Sequence, residues 1–309
     1  MDWKTIEEKV IQDDQNKWDK KATGKQLHVS QTGILEVSND QGISGTYSLS
    51  DLATSQVCQK LGIPVDYYRR LPGEVKAVVA NYDLNRLQVD TFLLRGKGEW
   101  IRAFLSGQYV VYNNTQIAET VQALLGQAAV WVKTFVLEET HMFLKIVTED
   151  IFLPKDGLKA GVMIGNSEVG LGSVSVEPFV FRKACTNDLV VAQEKSFRHP
   201  HIHLNASELN RRMAEGISNA FQTASSILDG FLKTKEEPVP DPVETIRRLA
   251  AQKKLSQKFT DEVISTYQIE PDPTRFGVIN AFTSAAQKLS PIQRIEVERY
   301  AGTLLDAKI

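Results

Sequence analysis

The chain has 309 residues, of which 42% are hydrophobic and 24% charged, and its formal net charge is −2. This balance is typical of a globular protein and argues against extensive disorder. No apolar run reaches the ~20 residues that a membrane-spanning helix needs. The charged opening MDWKTIEEKVIQDDQNKW lacks the apolar stretch of a signal peptide, so we expect a cytoplasmic protein without a membrane segment.

Turn residues and hydrophobic spacing predict the elements of the first third of the chain. Residues 1–40 are expected to form an N-terminal arm, with a hairpin or strand pair at Leu27–Val37 and Gly33 near its turn. A serine-capped helix should follow and stop at the glycine and proline of LGIP. A second helix is expected over about 73–87, with one face formed by Val75, Val78, Val79 and Tyr82.

The middle of the chain is predicted to be mainly strand. VDTFLLRGKGEWIRAFLSGQYVVY has the composition of a β-hairpin with Gly96-Lys97-Gly98 at its turn. Asn114 is a suitable N-cap for the helix that follows, and Gly126 is a suitable residue to end it. Further strands then follow at short spacing, from AVWVKTFVLEE to TNDLVV, which favours an antiparallel meander over βαβ crossovers.

From Ser207 the hydrophobic pattern becomes helical and predicts one long helix. The proline-rich segment KTKEEPVPDP is typical of a linker. Three or four amphipathic helices should follow it, because a capping residue precedes proline at Asp241, Asp272 and Ser290.

These elements predict an α+β fold. An antiparallel β-sheet, built from a hairpin and a meander, should pack on the long helix and be followed by a helical C-terminal part. We expect the α+β core domain over 41–235 and the helical region over 236–309.

The segment GNSEVGLG, Gly165–Gly172, raises the question of a ligand site. Its glycines could let successive N–H groups converge on an anion such as phosphate. It has neither the lysine of a P-loop nor the strand-to-helix turn of a dinucleotide-binding loop, because another strand follows. A glycine-rich turn is therefore the favoured interpretation, and a phosphate-binding loop is the alternative.

Three of the five histidines stand close together, at His199, His201 and His203. Alternate residues of a strand share a face, so His201 and His203 could bind one metal ion. No cysteine pair or acidic ligand accompanies them, and we favour a loop around Pro200 with metal binding as the alternative. No catalytic-triad or zinc-hydrolase motif is present, and no cofactor is predicted.

The two cysteines, Cys58 and Cys185, lie far apart and form no metal-type spacing, which fits a reducing compartment. Cys185 stands between Ala184 and Thr186 in a segment rich in strand-forming residues. A small buried side chain is the more common role for such a cysteine than a reactive thiol.

Cations alternate with aromatic residues in two segments, residues 95–109 and residues 179–198. Cations that track the backbone, interleaved with rings that stack on bases, are what single-stranded nucleic acid binding requires. Taken alone, the pattern favours rings in the core and cations on a solvated surface. The candidates for phosphate contact are Arg95, Lys97, Arg102, Arg182, Lys183 and Arg198, and those for base stacking are Trp100 and Phe179.

NSEVGLGSVSVEPFVFRKACTNDLVV resembles the signature of the phage/plasmid-like protein family, a domain of unknown function. Its members have an N-S-E-x-G segment, a strand, and then R-x-x-C-T-N-G, where this chain has Asp188 instead of the last glycine. Three further blocks resemble the family in the right order, over roughly residues 50–305. They are QVCQKLGIPVDYYRRLP, WIRAFLSGQYVVYNN and FGVINAFTSAAQKLSPIQRIEVERYAGTLL.

By looser analogy, the hairpins, meander and long helix are similar to the core of Redβ/RecT-type and Rad-type single-strand annealing proteins. That resemblance implies self-assembly into rings or filaments and DNA binding in a basic groove. The expected function is ATP-independent binding and annealing of single-stranded DNA for a mobile genetic element, by a homo-oligomer. A structural role is expected for the signature residues, which are Asn166, Ser167, Glu168, Gly170, Cys185, Thr186 and Asn187.

Two other classes remain open at the level of sequence. An enzyme acting on nucleotides or nucleic acid would bring Glu168, Cys185 and the histidines together, around a metal or a cysteine nucleophile. A protein-interaction module, such as a host-defence antagonist, would carry a large apolar patch on the C-terminal helices and no continuous basic groove.

Overall fold

The computed structural model describes residues 2–125, 130–153, 158–182, 188–190 and 197–307, and the architecture is α+β, as the sequence predicts. The helices are α1 (Trp3–Asp14), α2 (Asp51–Leu61), α3 (Val65–Arg70), α4 (Gly73–Arg86), α5 (Asn114–Leu125), α6 (Ala206–Lys233), α7 (Pro242–Gln252), α8 (Gln257–Ile269), α9 (Arg275–Ala285) and α10 (Pro291–Thr303). The strands are β1 (Lys17–Thr23), β2 (Leu27–Val29), β3 (Leu35–Asn39), β4 (Gly42–Leu49), β5 (Thr91–Lys97), β6 (Trp100–Ser106), β7 (Val130–Leu137), β8 (Met142–Leu153), β9 (Leu158–Asn166), β10 (Val174–Arg182), β11 (Asp188–Val190) and β12 (Phe197–His199).

The first sheet has the strand order β1-β5-β6-β4-β3-β2 and is antiparallel except where β4 runs parallel to β6. β1 pairs with β5 from Lys17 to Thr23. Part of the segment expected to be an N-terminal arm is therefore a strand of this sheet. α2 lies against β6 and α4 against β2, and Leu35, Val57 and Leu94 belong to the core between them.

The caps of α2 explain why this helix was predictable. Ser50 Oγ accepts a hydrogen bond from the N–H of Ala53 at 3.0 Å, which satisfies one of the free donors of the first turn. Gly62 follows the last turn with φ 73°, a left-handed conformation that glycine adopts without steric cost. Both ends are therefore fixed by local chemistry.

The second sheet has the order β11-β10-β9-β8-β7, all antiparallel, and β12 also pairs with β10. This arrangement confirms the predicted antiparallel meander. The predicted long helix is α6, which starts after a cap by Asn205 and packs on β9 and β10. Its Met213 and Ile217 share a core with Val162 and Val176 of the sheet.

The opposite face of the second sheet is partly covered by α10. Ile295 of α10 packs with Phe143, Met163 and Phe179. Two ion pairs join the same helix to this face, one from Lys145 to Glu298 at 2.6 Å and one from Arg299 to Glu177 at 2.6 Å. The second sheet thus has α6 on one side and α10 on part of the other.

The segment expected to be a linker packs into the fold. Val239 is buried, and its N–H donates to the carbonyl of Pro273 at 2.8 Å. The helices α7–α10 share one core with the end of α6 and with Ala160 and Val180 of the second sheet. Among the described residues, no helix has both the length and the apolar character that a bilayer crossing demands.

Candidate nucleic-acid interface

The turn between β9 and β10, residues 167–173, is here called the signature turn. It contacts the first sheet and its neighbours. Gly170 has φ 78°, a left-handed conformation that favours glycine. Tyr109 Oη donates to the carbonyl of Ser167 at 2.9 Å, and the side-chain amide of Gln56 donates to the carbonyl of Val169 at 2.8 Å. The turn is therefore held by groups from the first half of the chain.

A buried polar group, here called the Glu168 cluster, forms at this contact from Lys17, Arg95, Arg102, Asn114 and Glu168. Glu168 Oε2 lies 2.7 Å from Lys17 Nζ and 3.4 Å from Arg102 Nη1. Its Oε1 accepts from the backbone N–H of Asn114 at 2.8 Å. Arg95 donates to the carbonyl of Glu168 at 2.8 Å and to Asp19 at 2.7 Å.

The electrostatics of the cluster keep Glu168 ionised. Burial alone would raise the pKa of Glu168, but the charge and hydrogen bond of Lys17, the N–H of Asn114 and the charge of Arg95 hold that pKa below its ordinary value. A carboxyl group with a lowered pKa is a poor proton donor near neutral pH. The cluster is therefore suited to joining the two sheets and is unsuited to acid catalysis.

Asn166 and His201 extend this polar contact. Asn166 Nδ2 donates to the carbonyl of Tyr112 at 3.2 Å and to Asn114 Oδ1 at 2.9 Å. His201 Nε2 lies 3.0 Å from Asn166 Oδ1, and its ring stacks on Tyr109 with the ring centroids 4.8 Å apart. Burial lowers the pKa of His201 to about 4.

His199 and His201 have different partners. His201 is buried against Asn166, whereas the ring of His199 lies 2.6 Å from the carbonyl of Pro200. Within the described ranges, no three His, Cys, Asp or Glu side chains come close enough together to hold a metal ion.

Three of the residues expected to contact DNA lie in the interior. Arg95 and Arg102 are buried with carboxylate partners, and Phe179 is fully buried under α10. A nucleic acid cannot reach a covered side chain, so the structure assigns these three to internal ion pairs and packing. This corrects the expectation of surface contact for Arg95, Arg102 and Phe179.

The other expected contacts stay predictions. Trp100 and Arg198 are exposed, and Lys97 is partly exposed with its Nζ 3.1 Å from Asp13 Oδ1. Arg182 is the last residue of β10. Lys183, Cys185, Thr186 and Asn187 lie outside the described residues, as does Gly126.

A surface that the sequence did not predict lies on the second sheet, and we call it the basic aromatic face, formed by Trp131, Lys133, Lys159 and Phe181. Lys133 Nζ lies 4.5 Å from the centroid of the Phe181 ring, and Lys159 Nζ lies 4.5 Å from the Trp131 ring. Lys159 is directly opposite Phe181 in the β9–β10 register. Trp131, Lys133 and Lys159 are partly exposed, whereas Phe181 is buried beneath them.

The same face continues beneath α10. Lys145 Nζ lies 5.3 Å from the Phe179 ring and is paired with Glu298. Arg198 is opposite Ser175 in the β10–β12 register, and directly opposite residues of an antiparallel pair share a face. Cations therefore recur along β10 on the side away from α6, with α10 covering the middle of the row.

Comparisons with known proteins provide no relative: no protein-family model, no curated protein and no solved structure matches this chain. The resemblance to the phage/plasmid-like family accordingly stays a prediction, and the geometry described above carries the functional argument.

Proposed function

We propose that this protein binds single-stranded DNA on the basic aromatic face and, through that binding, anneals complementary strands for a mobile genetic element. The observation that carries the proposal is the pairing of Lys159 with the partly exposed Trp131 ring at 4.5 Å, beside the partly exposed Lys133, whose Nζ lies 4.5 Å from the buried Phe181 ring. The Trp131–Lys159 pair presents an aromatic ring beside an ammonium group, and a nucleotide presents a base beside a phosphate.

The strand geometry supports an extended ligand. Neighbouring strands lie about 4.8 Å apart and present alternate side chains to one face, so the four residues form a short row that starts on β7, crosses β8 and ends on β9 and β10. Such a row contacts the backbone and bases of a strand without reading its sequence, because every base has a π-face.

Fluorescence anisotropy with a labelled oligothymidine, repeated over a salt series, tests the proposal. We expect saturable binding that weakens steeply as salt rises, because phosphate contacts release counterions. The double variant Lys133→Glu, Lys159→Glu should weaken binding at low salt by at least about tenfold, since each reversal replaces an attraction with a repulsion.

The matched control is Lys25→Glu, Lys60→Glu, which makes the same change in total charge at two exposed lysines outside the face. The control should bind within about threefold of the wild type, because a distant surface charge contributes only screened, long-range attraction. Equal losses in the two double variants would reject the face as the binding site. A folded wild-type protein that fails to bind at low salt would reject the function, and an annealing assay with complementary strands follows a positive result.

A further inference from the structure

A cavity of about 410 Å³, here called the turn cavity, lies between the signature turn, the end of α2 and residues 200–202. Its volume falls within the range of about 300–1,000 Å³ that is usual for small-molecule sites. One wall is fixed by Gln56, whose side chain donates to the carbonyl of Val169 and accepts from the N–H of Phe104, both at 2.8 Å. A wall that is already ordered adds little entropic cost to ligand binding.

Four polar side chains that line the turn cavity have no hydrogen-bond or ion-pair partner among the described residues. They are Gln59, Lys60, Ser106 and Ser173. Gln59 and Lys60 belong to the last turn of α2, and Ser106 is the last residue of β6. A few convergent polar groups in one cavity are what orients a bound small molecule.

The charge of the lining selects an anion. Among the described residues that line the cavity there is no carboxylate, and Lys60 supplies a positive charge. His201 also lines it but is neutral near pH 7, because burial lowers its pKa to about 4. A cleft with charge of one sign concentrates ions of the opposite sign. The two serine hydroxyls and the Gln59 amide add neutral donors, which the three oxygens of a phosphate group can accept from.

The rest of the lining is apolar and calls for an organic group on that phosphate. Leu105, Leu171, Pro200 and Ile202 form this part of the cavity, and Leu171 is 49% exposed. An inorganic phosphate ion would leave these side chains in contact with water, whereas an attached organic group would cover them.

We propose that the turn cavity binds a small organic phosphate, with the phosphate group held by Lys60 and the neutral donors and the organic group packed against Leu171 and Ile202. No residue of the basic aromatic face lines this cavity. The proposal therefore does not rest on the proposed DNA binding.

Isothermal titration calorimetry of the full chain without DNA tests the proposal. The probes are thymidine 5′-monophosphate, glucose 6-phosphate, glycerol 3-phosphate and inorganic phosphate. At least one organic phosphate should bind with a dissociation constant below about 1 mM, and at least about tenfold more tightly than inorganic phosphate. No binding by any organic probe, or inorganic phosphate binding as tightly as all of them, would overturn the proposal.

Two variants assign the two parts of the cavity. Lys60→Gln should weaken the organic phosphate by about tenfold, because it removes a charge-assisted contact. Leu171→Ser should weaken the organic phosphate and leave inorganic phosphate within about twofold. The matched control is Lys25→Gln, which makes the same charge change at an exposed lysine outside the cavity and should stay within about twofold of the wild type. Circular dichroism confirms that each variant is folded, and an unchanged affinity in Lys60→Gln would overturn the proposal.

The end of a DNA strand also carries a phosphate on an organic group, and the oligothymidine assay separates this source from a free ligand. Lys60→Gln should bind oligothymidine within about threefold of the wild type, because Lys60 lies outside the basic aromatic face. A parallel loss of oligothymidine and of the small phosphate would overturn the assignment to a small ligand and would make the cavity part of a DNA-binding surface.

Discussion

Glu168 is a buried carboxylate, and without its charge the cations around it would keep only more exposed carboxylates as partners. Lys17 and Arg102 are both within hydrogen-bonding reach of its Oε2. We expect Glu168→Gln to lower the free energy of unfolding by about 3 kcal/mol, the lower end of the range for a broken buried ion pair, because Lys17 and Arg102 keep only the more exposed Asp13 and Glu139 as partners. Urea denaturation measures this loss.

Glu139→Gln is the control for that variant. Glu139 contacts the same Arg102, but its side chain is 57% exposed, so the loss should stay below about 1 kcal/mol. Similar losses in the two variants would contradict the assignment of Glu168 as the buried contact between the sheets.

The buried side chain of His201 should make the stability of the fold depend on pH. Burial lowers its pKa to about 4 from the ordinary value of 6.5. Between these two pH values the unfolded chain therefore binds more protons than the folded chain. Stability is therefore lost as the pH falls through this window, by up to about 3 kcal/mol below pH 4. The facing charges of Arg95, Glu168 and His199 modify the pKa, but burial is the largest cause.

Denaturation at pH 7, 6 and 5 tests this assignment with His201→Gln as the variant. The variant should lose less stability than the wild type between pH 6.5 and 5, because its amide does not titrate. Glu168 changes the stability at lower pH than His201 does. Because its pKa is lowered in the folded protein, its contribution to stability is complete above the pKa of the unfolded chain, near 4.5, and is lost only as the pH falls below that value. Parallel slopes for variant and wild type would remove His201 as the cause.

At the scale of elements, α10 is held to the second sheet by a buried ion pair between Lys145 and Glu298. Glu298→Leu removes the carboxylate that Lys145 contacts in the interior and should cost about 3–5 kcal/mol. Lys145→Met should cost less, because Arg294 still contacts Glu298 at 2.8 Å. The double variant should recover most of the loss from Glu298→Leu, since an apolar pair satisfies the same space. A double-mutant cycle in urea measures the coupling, and strictly additive losses would contradict it.

The helices were predictable because their signals are local. Ser50 and Gly62 bound α2, Asn205 caps α6, and Asp241 caps α7 next to a proline. β1 lacked such a signal, because only Ala22 of this strand is buried and no alternation of apolar residues marks it. Its place in the sheet depends on β5, which lies far along the chain.

The candidate site was less predictable, because its properties arise between distant residues. The sequence pattern suggests that Arg95 and Arg102 are surface cations. In the fold they pair with Asp19 and Glu168, which lie far from them along the chain. Lys159 and Phe181 become neighbours only through the β9–β10 register. A sequence pattern reports the composition of a strand but does not report which strand lies beside it.

At the scale of the whole molecule, the Glu168 cluster couples the two sheets. Lys17, Arg95 and Arg102 come from β1, β5 and β6, whereas Glu168 follows β9. Opening either sheet alone would separate buried opposite charges and leave Glu168 without its cations, which is costly in a region of low dielectric constant. The two sheets should therefore open together.

Hydrogen exchange followed by mass spectrometry measures this coupling. In the wild type, peptides from β5–β6 and from β8–β9 should report the same free energy of opening, because their slowest amides exchange only when both sheets open. In Glu168→Gln the two values should separate by more than about 1 kcal/mol, while Glu139→Gln should keep them equal. Two distinct values in the wild type would mean that the sheets open independently, and the signature turn would then act within the second sheet alone.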